Sequence, residues 1–281
     1  MTENARSSAI SMFVPVVRSS PESMRCGRAD PLRGSIGPRS APATAGSEVT
    51  DVLADALREV SEILYSAASA AGQPAPVLVA VSKLQPATAI AELAALGQRD
   101  FGENYVQEAL RKRQELDAAG LPRPKAWHLI GHLQSNKARE AAALFDWVQT
   151  VDRPSIVDAL ARQRPADRPP LNVLLQVNID DETSKHGCRP DDVPALAAAV
   201  VAHPQLALRG LMIIPTPHPD PEARRPAFRA AKRLFDALHA AHGSVDTLSM
   251  GMSDDFAIAI AEGATMVRVG SALFGARPSR A

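Results

Sequence analysis

Between Val77 and Gly270 the chain repeats one rhythm: a short apolar run, a polar turn, an Ala/Leu-rich stretch at helical spacing, and another apolar run. The runs are Val77–Ser82, Asp100–Asn104, Ala126–Gly131, Trp147–Asp152, Asn172–Asn178, Leu208–Ile214, Thr247–Gly251 and Met266–Gly270. Helical stretches follow the first seven: Pro86–Leu96, Tyr105–Ala118, Ser135–Leu144, Pro154–Gln163, Asp191–Ala202, Glu222–Ala241 and Asp254–Glu262. Runs such as NVLLQVN are apolar on both parities, which suits strands buried on both faces. Strands alternating with helices predict a parallel sheet, and eight such units in about 200 residues predict one closed (β/α)8 barrel of the α/β class. The rival is an open doubly wound sheet, but no G-x-G-x-x-G fingerprint supports it. A leading helix precedes the rhythm: Val49, Val52, Leu53, Ala56, Leu57, Val60, Ile63 and Leu64 recur at helical spacing, ending near Gly72.

Bulk properties narrow the function classes. Thirty-one basic residues balance thirty-one acidic ones, so nothing favours nucleic acid or a membrane surface. The two cysteines, Cys26 and Cys188, stand far apart without metal-ligand spacing, which argues against a disulfide framework or a zinc site and makes a reducing cytoplasm the default. No apolar run reaches the roughly 18 residues of a membrane helix. Residues 1–46 are rich in Ser, Pro, Gly, Ala and Arg and lack periodicity. They read as a disordered extension, or as a start codon assigned too early, ahead of a barrel over 47–281.

Barrels place their chemistry at the C-terminal ends of the strands. Lys83, Glu103, Asn104, Gly131, His132, Asp152, Asn178, Pro215, Ser253, Arg268, Gly270 and Ser271 stand there. Lys83 closes the run LVAVSK. It is a point charge for a phosphate, an amine nucleophile for a carbonyl, or a lysine that reaches past the strand end to solvent. Gly251, Ser253, Gly270 and Ser271 follow the last two strands, where small residues let backbone N–H groups approach a phosphate. Asp254 and Asp255 are expected to cap the next helix. Arg268, inside a strand between Val267 and Val269, needs partners: either a structural ion pair or a fixed cation facing a ligand. Asn104 can contact a ligand oxygen or cap the helix at Tyr105, and His128 reads as a satisfied core histidine.

The strings LVAVSK, FGENYVQE, WHLIGHLQSNKA, VQTVD, LLQVNIDDETSKHG, LRGLMIIP and LSMGMSDDFAIAIAEGATMVRVGSALFG together resemble the YggS/PROSC-type pyridoxal phosphate-binding homeostasis proteins, over about residues 49 to 277. The resemblance implies the pyridoxal 5′-phosphate barrel of the alanine racemase N-terminal domain, fold type III without the second β domain. It implies Lys83 as the Schiff-base lysine, Arg268 facing the pyridine nitrogen, Ser253, Gly270 and Ser271 at the phosphate, and Asn104 near the cofactor. Lys185 matches a loop lysine that receives cofactor in some relatives. It further implies a cytoplasmic protein that keeps pyridoxal phosphate low and available, with pyridoxal-dependent apoenzymes as recipients, no committed turnover, and no metal. The sequence departs from relatives at Gln85, where some carry a basic residue, and at Ser271, where threonine is common.

Three alternatives remain. A racemase-like enzyme of the same barrel is disfavoured because the chain ends soon after the eighth run and holds only Tyr65 and Tyr105 as tyrosines. Loss of the racemase dimer contact leans toward a monomer. A class I aldolase would use a barrel lysine without pyridoxal phosphate, and a purely structural module would leave the lysine, arginine and small-residue loops without a task.

Overall fold

The computed structural model describes residues 45–182 and 186–275. The expected extension therefore lies outside the described residues up to position 44, as does Lys185. Eight parallel strands form a closed barrel in chain order: β1 Val77–Val81, β2 Asp100–Glu103, β3 Ala126–Leu129, β4 Trp147–Val151, β5 Leu171–Val177, β6 Leu206–Ile213, β7 Thr247–Ser249 and β8 Met266–Val269. Pairing of β8 with β1 closes it, with Val77 opposite Met266 and Val79 opposite Arg268.

The helices are α1 Ala45–Ala70, α2 Ala87–Ala95, α3 Val106–Ala118, α4 Ala138–Leu144, α5 Pro154–Gln163, α6 Val193–Val201, α7 Arg225–Ala241, α8 Phe256–Ala261 and α9 Ser271–Phe274. Leu53, Val60, Leu64 and Ala68 form the buried stripe of α1. The fully buried Ile90, Leu93, Ile156, Leu160 and Phe228 give α2, α5 and α7 their inner faces. On β2 the two-residue alternation directs Phe101 to the opposite side of the sheet from Asp100 and Gly102, which face the barrel interior. Among the described residues no helix is long and apolar enough to cross a membrane.

The differences from the sequence reading lie at the ends of elements. All eight strands stop one or two residues before the runs do. Gly251 shows why: at φ +94 it has left the strand, and an added Cβ would lie 2.9 Å from Phe256 Cα. β5 instead begins at Leu171, immediately after Pro169 and Pro170, which have no N–H to give a ladder. Three stretches read as continuous helix open with a 3-10 turn, at Ser135–Lys137, Pro190–Asp192 and Pro221–Arg224. The short α9 was not anticipated; Gly270 before it and Gly275 after it were its punctuation.

Candidate functional site

At the C-terminal end of the barrel a cavity of about 290 Å³ is lined by Lys83, Asn104, Ser253, Arg268, Gly270 and Ser271. Val81, Ile130, Ile214, Met252 and Asp254 complete the wall. All six residues singled out from sequence thus share one cavity, contributed by the exits of β1, β2, β7 and β8.

Lys83 is half-buried, and its two neighbours in the chain are anchored to one buried cluster. The Ser82 hydroxyl donates to Glu103 Oε1 at 2.7 Å. The Lys112 ammonium, fully buried on α3, donates to the Ser82 carbonyl at 2.7 Å and to Glu103 Oε1 at 2.7 Å, and pairs with Glu108 Oε1 at 2.7 Å. Three donors therefore meet three acceptors. Beyond Lys83, the Leu84 N–H donates to the same Glu108 oxygen at 2.6 Å. Leu84 takes φ +66, a left-handed conformation that costs a non-glycine residue on the order of 1 kcal/mol, so its surroundings must enforce it. Burial pushes the Glu103 carboxyl above its usual range, against the pull of Lys112, and Glu103 Oε2 has no partner. Lys83 is in effect held between two fixed backbone points.

Arg268 is 4% exposed. Its Nη1 donates to the Ser249 hydroxyl at 2.7 Å and its Nη2 to the Ile213 carbonyl at 2.9 Å. Burial holds it below the usual arginine range, at about 10, while Asp255 opposes the shift, so it stays cationic at neutral pH. Among the described residues Arg268 makes no ion pair; the neutral acceptors Ser249 and Ile213 hold it. Asp255 stands at the start of α8, but its carboxylate accepts from the Met252 N–H at 2.6 Å and pairs with Arg224 at 2.6 Å instead of capping the helix. That correction has a clear cause: a fully buried carboxylate takes the available cation. Asp254 is exposed.

Ser253 Oγ accepts from the Gly270 N–H at 3.3 Å, joining the loops after β7 and β8. Asn104 lies at the exit of β2 against Gly131, where an added Cβ would come within 2.1 Å of the Asn104 carbonyl oxygen; only glycine permits that approach. Asn104 does not cap α3, whose first turn begins from Tyr105 without a side-chain cap. His132, Asp152 and His186 bring ligand atoms within 4.8 Å of one another at the rim. The two rings stack at 3.8 Å and 14°, which sets their in-plane lone pairs side by side rather than toward one ion. Burial and the facing His186 lower the His132 pKa.

The sequence reading did not assign roles to Ser82, Lys112, Gln149 or Ser249. The available signal was polarity inside apolar runs: Gln149 and Ser249 are fully buried strand residues, and buried polar groups must be paired.

The arrangement combines a lysine amine, a donor-only guanidinium and a hydroxyl-and-glycine corner in one small cavity. That donor set fits a ligand with a carbonyl, a ring acceptor and a phosphate. Comparison with known proteins agrees in kind. The alanine racemase N-terminal domain family matches residues 55–278. The pyridoxal phosphate homeostasis protein of Pseudomonas aeruginosa is 54% identical over 227 residues, covering 80% of this chain and 96% of that one. Its counterpart in Escherichia coli is 49% identical over 230 residues, covering 80% and 97%. Among solved structures, PipY of Synechococcus elongatus with PLP bound aligns at a TM-score of 0.69 and 36% identity, covering 79% of this chain and all 100% of that one. An alanine racemase of Clostridium difficile aligns at a TM-score of 0.62 and 16% identity over 82% of this chain and 58% of its own, a likeness of fold alone.

Proposed function

The chain belongs to the pyridoxal phosphate homeostasis protein family, and from that premise we propose that it binds pyridoxal 5′-phosphate as a Schiff base on Lys83 and serves intracellular homeostasis of that cofactor. The observation that carries this reading is the shared cavity of Lys83, Asn104, Ser253, Arg268, Gly270 and Ser271. The PLP-bound structure of PipY and the names of the relatives support it. The barrel over residues 47–281 is the binding domain in this reading.

When bound, the cofactor supplies an aldehyde for a lysine amine and an electron-accepting ring. Lys83 would hold the aldehyde carbon through its amine, with one water leaving. Ser253, Gly270 and Ser271 receive the phosphate through hydroxyls and backbone N–H groups. Arg268 would face the ring nitrogen. A guanidinium has only donors, so it offers a proton to an unprotonated nitrogen and cannot accept one from it. That arrangement leaves the ring a weak electron sink, which suits storage better than turnover. In this reading the protein acts as a cytoplasmic monomer without a committed reaction and passes its cofactor to pyridoxal-dependent apoenzymes.

The test is the visible absorption of the purified chain beside Lys83→Ala, before and after borohydride reduction with peptide mapping. The expected result is a yellow wild type that carries the reduced pyridoxyl group on Lys83, and a variant without that adduct. A wild type that stays colourless with added cofactor would sink the reading. Exchange of the α-proton of alanine in deuterium oxide by the loaded protein would favour the racemase-like alternative.

A further inference from the structure

Five side chains inside the barrel make an unbroken series of hydrogen bonds. Arg268 Nη1 on β8 is 2.7 Å from Ser249 Oγ on β7. Ser249 Oγ donates to Gln149 Oε1 on β4 at 2.7 Å. Gln149 Nε2 is 2.9 Å from His128 Nδ1 on β3. His128 Nε2 is 3.0 Å from Asp100 Oδ1, at the first residue of β2. Ser249, Gln149 and His128 are fully buried, and the Asp100 side chain is 22% exposed. None of the four partners lines the cavity that holds Lys83 and Arg268.

The two ends, together with the Ser249 proton, fix the direction of every bond. A guanidinium only donates and a carboxylate only accepts. Arg268 therefore donates to Ser249, whose own proton passes to Gln149 Oε1. The Gln149 amide then donates to His128 Nδ1, and the imidazole carries its proton on Nε2, aimed at Asp100. Reversing the Gln149 amide would leave the Ser249 proton without an acceptor in the series. All donors thus point the same way, from a cation to an anion. Chains ordered in this way polarise each member and strengthen one another in a low-dielectric interior. Trp147 stacks on His128 at 5.4 Å and 10°, holding the ring plane, and Met266 Sδ lies 3.2 Å from Gln149 Nε2.

We infer that Asp100, His128, Gln149 and Ser249 are positioning residues: a one-way relay that fixes the Arg268 guanidinium from behind and links it to a carboxylate outside the cavity. The inference rests on the reading that Arg268 faces the ring nitrogen of bound pyridoxal phosphate. The relay acts on the cofactor through Arg268 alone, by limiting its rotation and by drawing part of its positive charge toward Asp100.

The test uses the full chain and two substitutions remote from the cavity. Gln149→Leu severs the relay at its midpoint, and Asp100→Asn keeps its shape but removes the anion. With pyridoxal phosphate added, Gln149→Leu is expected to raise the dissociation constant about tenfold and Asp100→Asn about threefold, the effects of losing a charge-linked hydrogen bond and of weakening one. Both variants should shift the visible band of the bound cofactor, a signature that loss of core packing alone would not move. A second readout needs no cofactor: solvent exchange of the Arg268 guanidinium protons, followed by nitrogen-labelled NMR, should be about tenfold faster in Gln149→Leu. If Gln149→Leu fails to fold, Asp100→Asn carries both readouts. Wild-type affinity, band and guanidinium exchange in the folded variants would overturn the relay. A wild type that takes up no cofactor would overturn the function proposed above, and the exchange experiment would still decide the relay.

Discussion

The two ends of the barrel handle charge in opposite ways. At the N-terminal end of the strands, Arg209 pairs with Asp246 at 2.5 Å, donates to Asn172 at 2.8 Å and lies 5.0 Å from the centre of the Trp147 ring. Arg168 pairs with Asp146 at 2.7 Å. The buried Arg164 donates to the carbonyls of Pro169, Ala142 and Phe145. At the C-terminal end, Lys83 and Arg268 border a cavity together with glycines and short hydroxyl side chains. Both ends spend cations on their own backbone and carboxylates, but only the C-terminal end also sets two of them, Lys83 and Arg268, on the wall of a cavity that a ligand can fill. Ligand chemistry is thus confined to one end of the axis, as (β/α)8 barrels generally arrange it.

Substitutions can break or sharpen that contrast. The largest effect is expected behind the mouth, at Lys112→Met, which leaves Glu103 buried without its cation. Denaturant unfolding should show a loss of about 3–5 kcal/mol, and pyridoxal phosphate binding should weaken as well, because the Ser82 carbonyl loses its donor and Glu108, which holds the Leu84 N–H, loses its cation. Unchanged binding in a folded Lys112→Met protein would mean that the cluster serves the fold alone. Next comes Cys188, bridged to Val177 beside the mouth. Burial pushes its thiol from about 9 up to about 12. The folded state holds this proton more tightly than the unfolded state. Its contribution is therefore complete below about pH 9 and is lost as pH rises toward 12. At 1.36 kcal/mol per unit that is about 3 kcal/mol by pH 11. Cys188→Ala should lack this part of the alkaline decline, and the native thiol should resist thiol reagents near pH 8.

A smaller effect is expected at the opposite end. Arg164→Ala strands three carbonyls and should lower stability by about 2 kcal/mol while leaving the affinity for pyridoxal phosphate unchanged. A parallel loss of affinity would dissolve the separation of the two ends. The smallest is Ser253→Ala, which should weaken cofactor binding about threefold to tenfold, the value of one hydrogen bond, with no measurable change in the melting temperature.

Legibility in the sequence followed the same axis. The strand and helix rhythm depends on local periodicity, so all eight strands could be read to within two residues. The six cavity residues stand among the twelve at strand exits, where this fold gathers its chemistry, but the family resemblance was what picked them out. What could not be read was pairing across the barrel. Gln149 and Ser249 stand 100 positions apart, and nothing local in either run names the other as partner. Asp255 illustrates the same limit: its position beside a helix start suggested a cap, but the deciding neighbour was Arg224, 31 residues earlier. The strained Leu84 was invisible for a related reason: its N–H is held by Glu108, which stands on α3, 24 residues later and beyond the intervening α2.

The closure of β8 onto β1 also sets an order of events during synthesis. Lys83 follows the first strand and Arg268 lies in the last, and α1 packs against α8 and α9 at the far end of the chain. A ribosome that has made seven strands has released a chain whose first strand still lacks a neighbour on one side and whose leading helix still lacks its two late partners. The cavity bordered by Lys83 and Arg268 therefore comes into being only with the final segment. A chain halted before β8 would carry the lysine without the arginine, and such fragments should be unable to sequester the vitamin while translation is still under way.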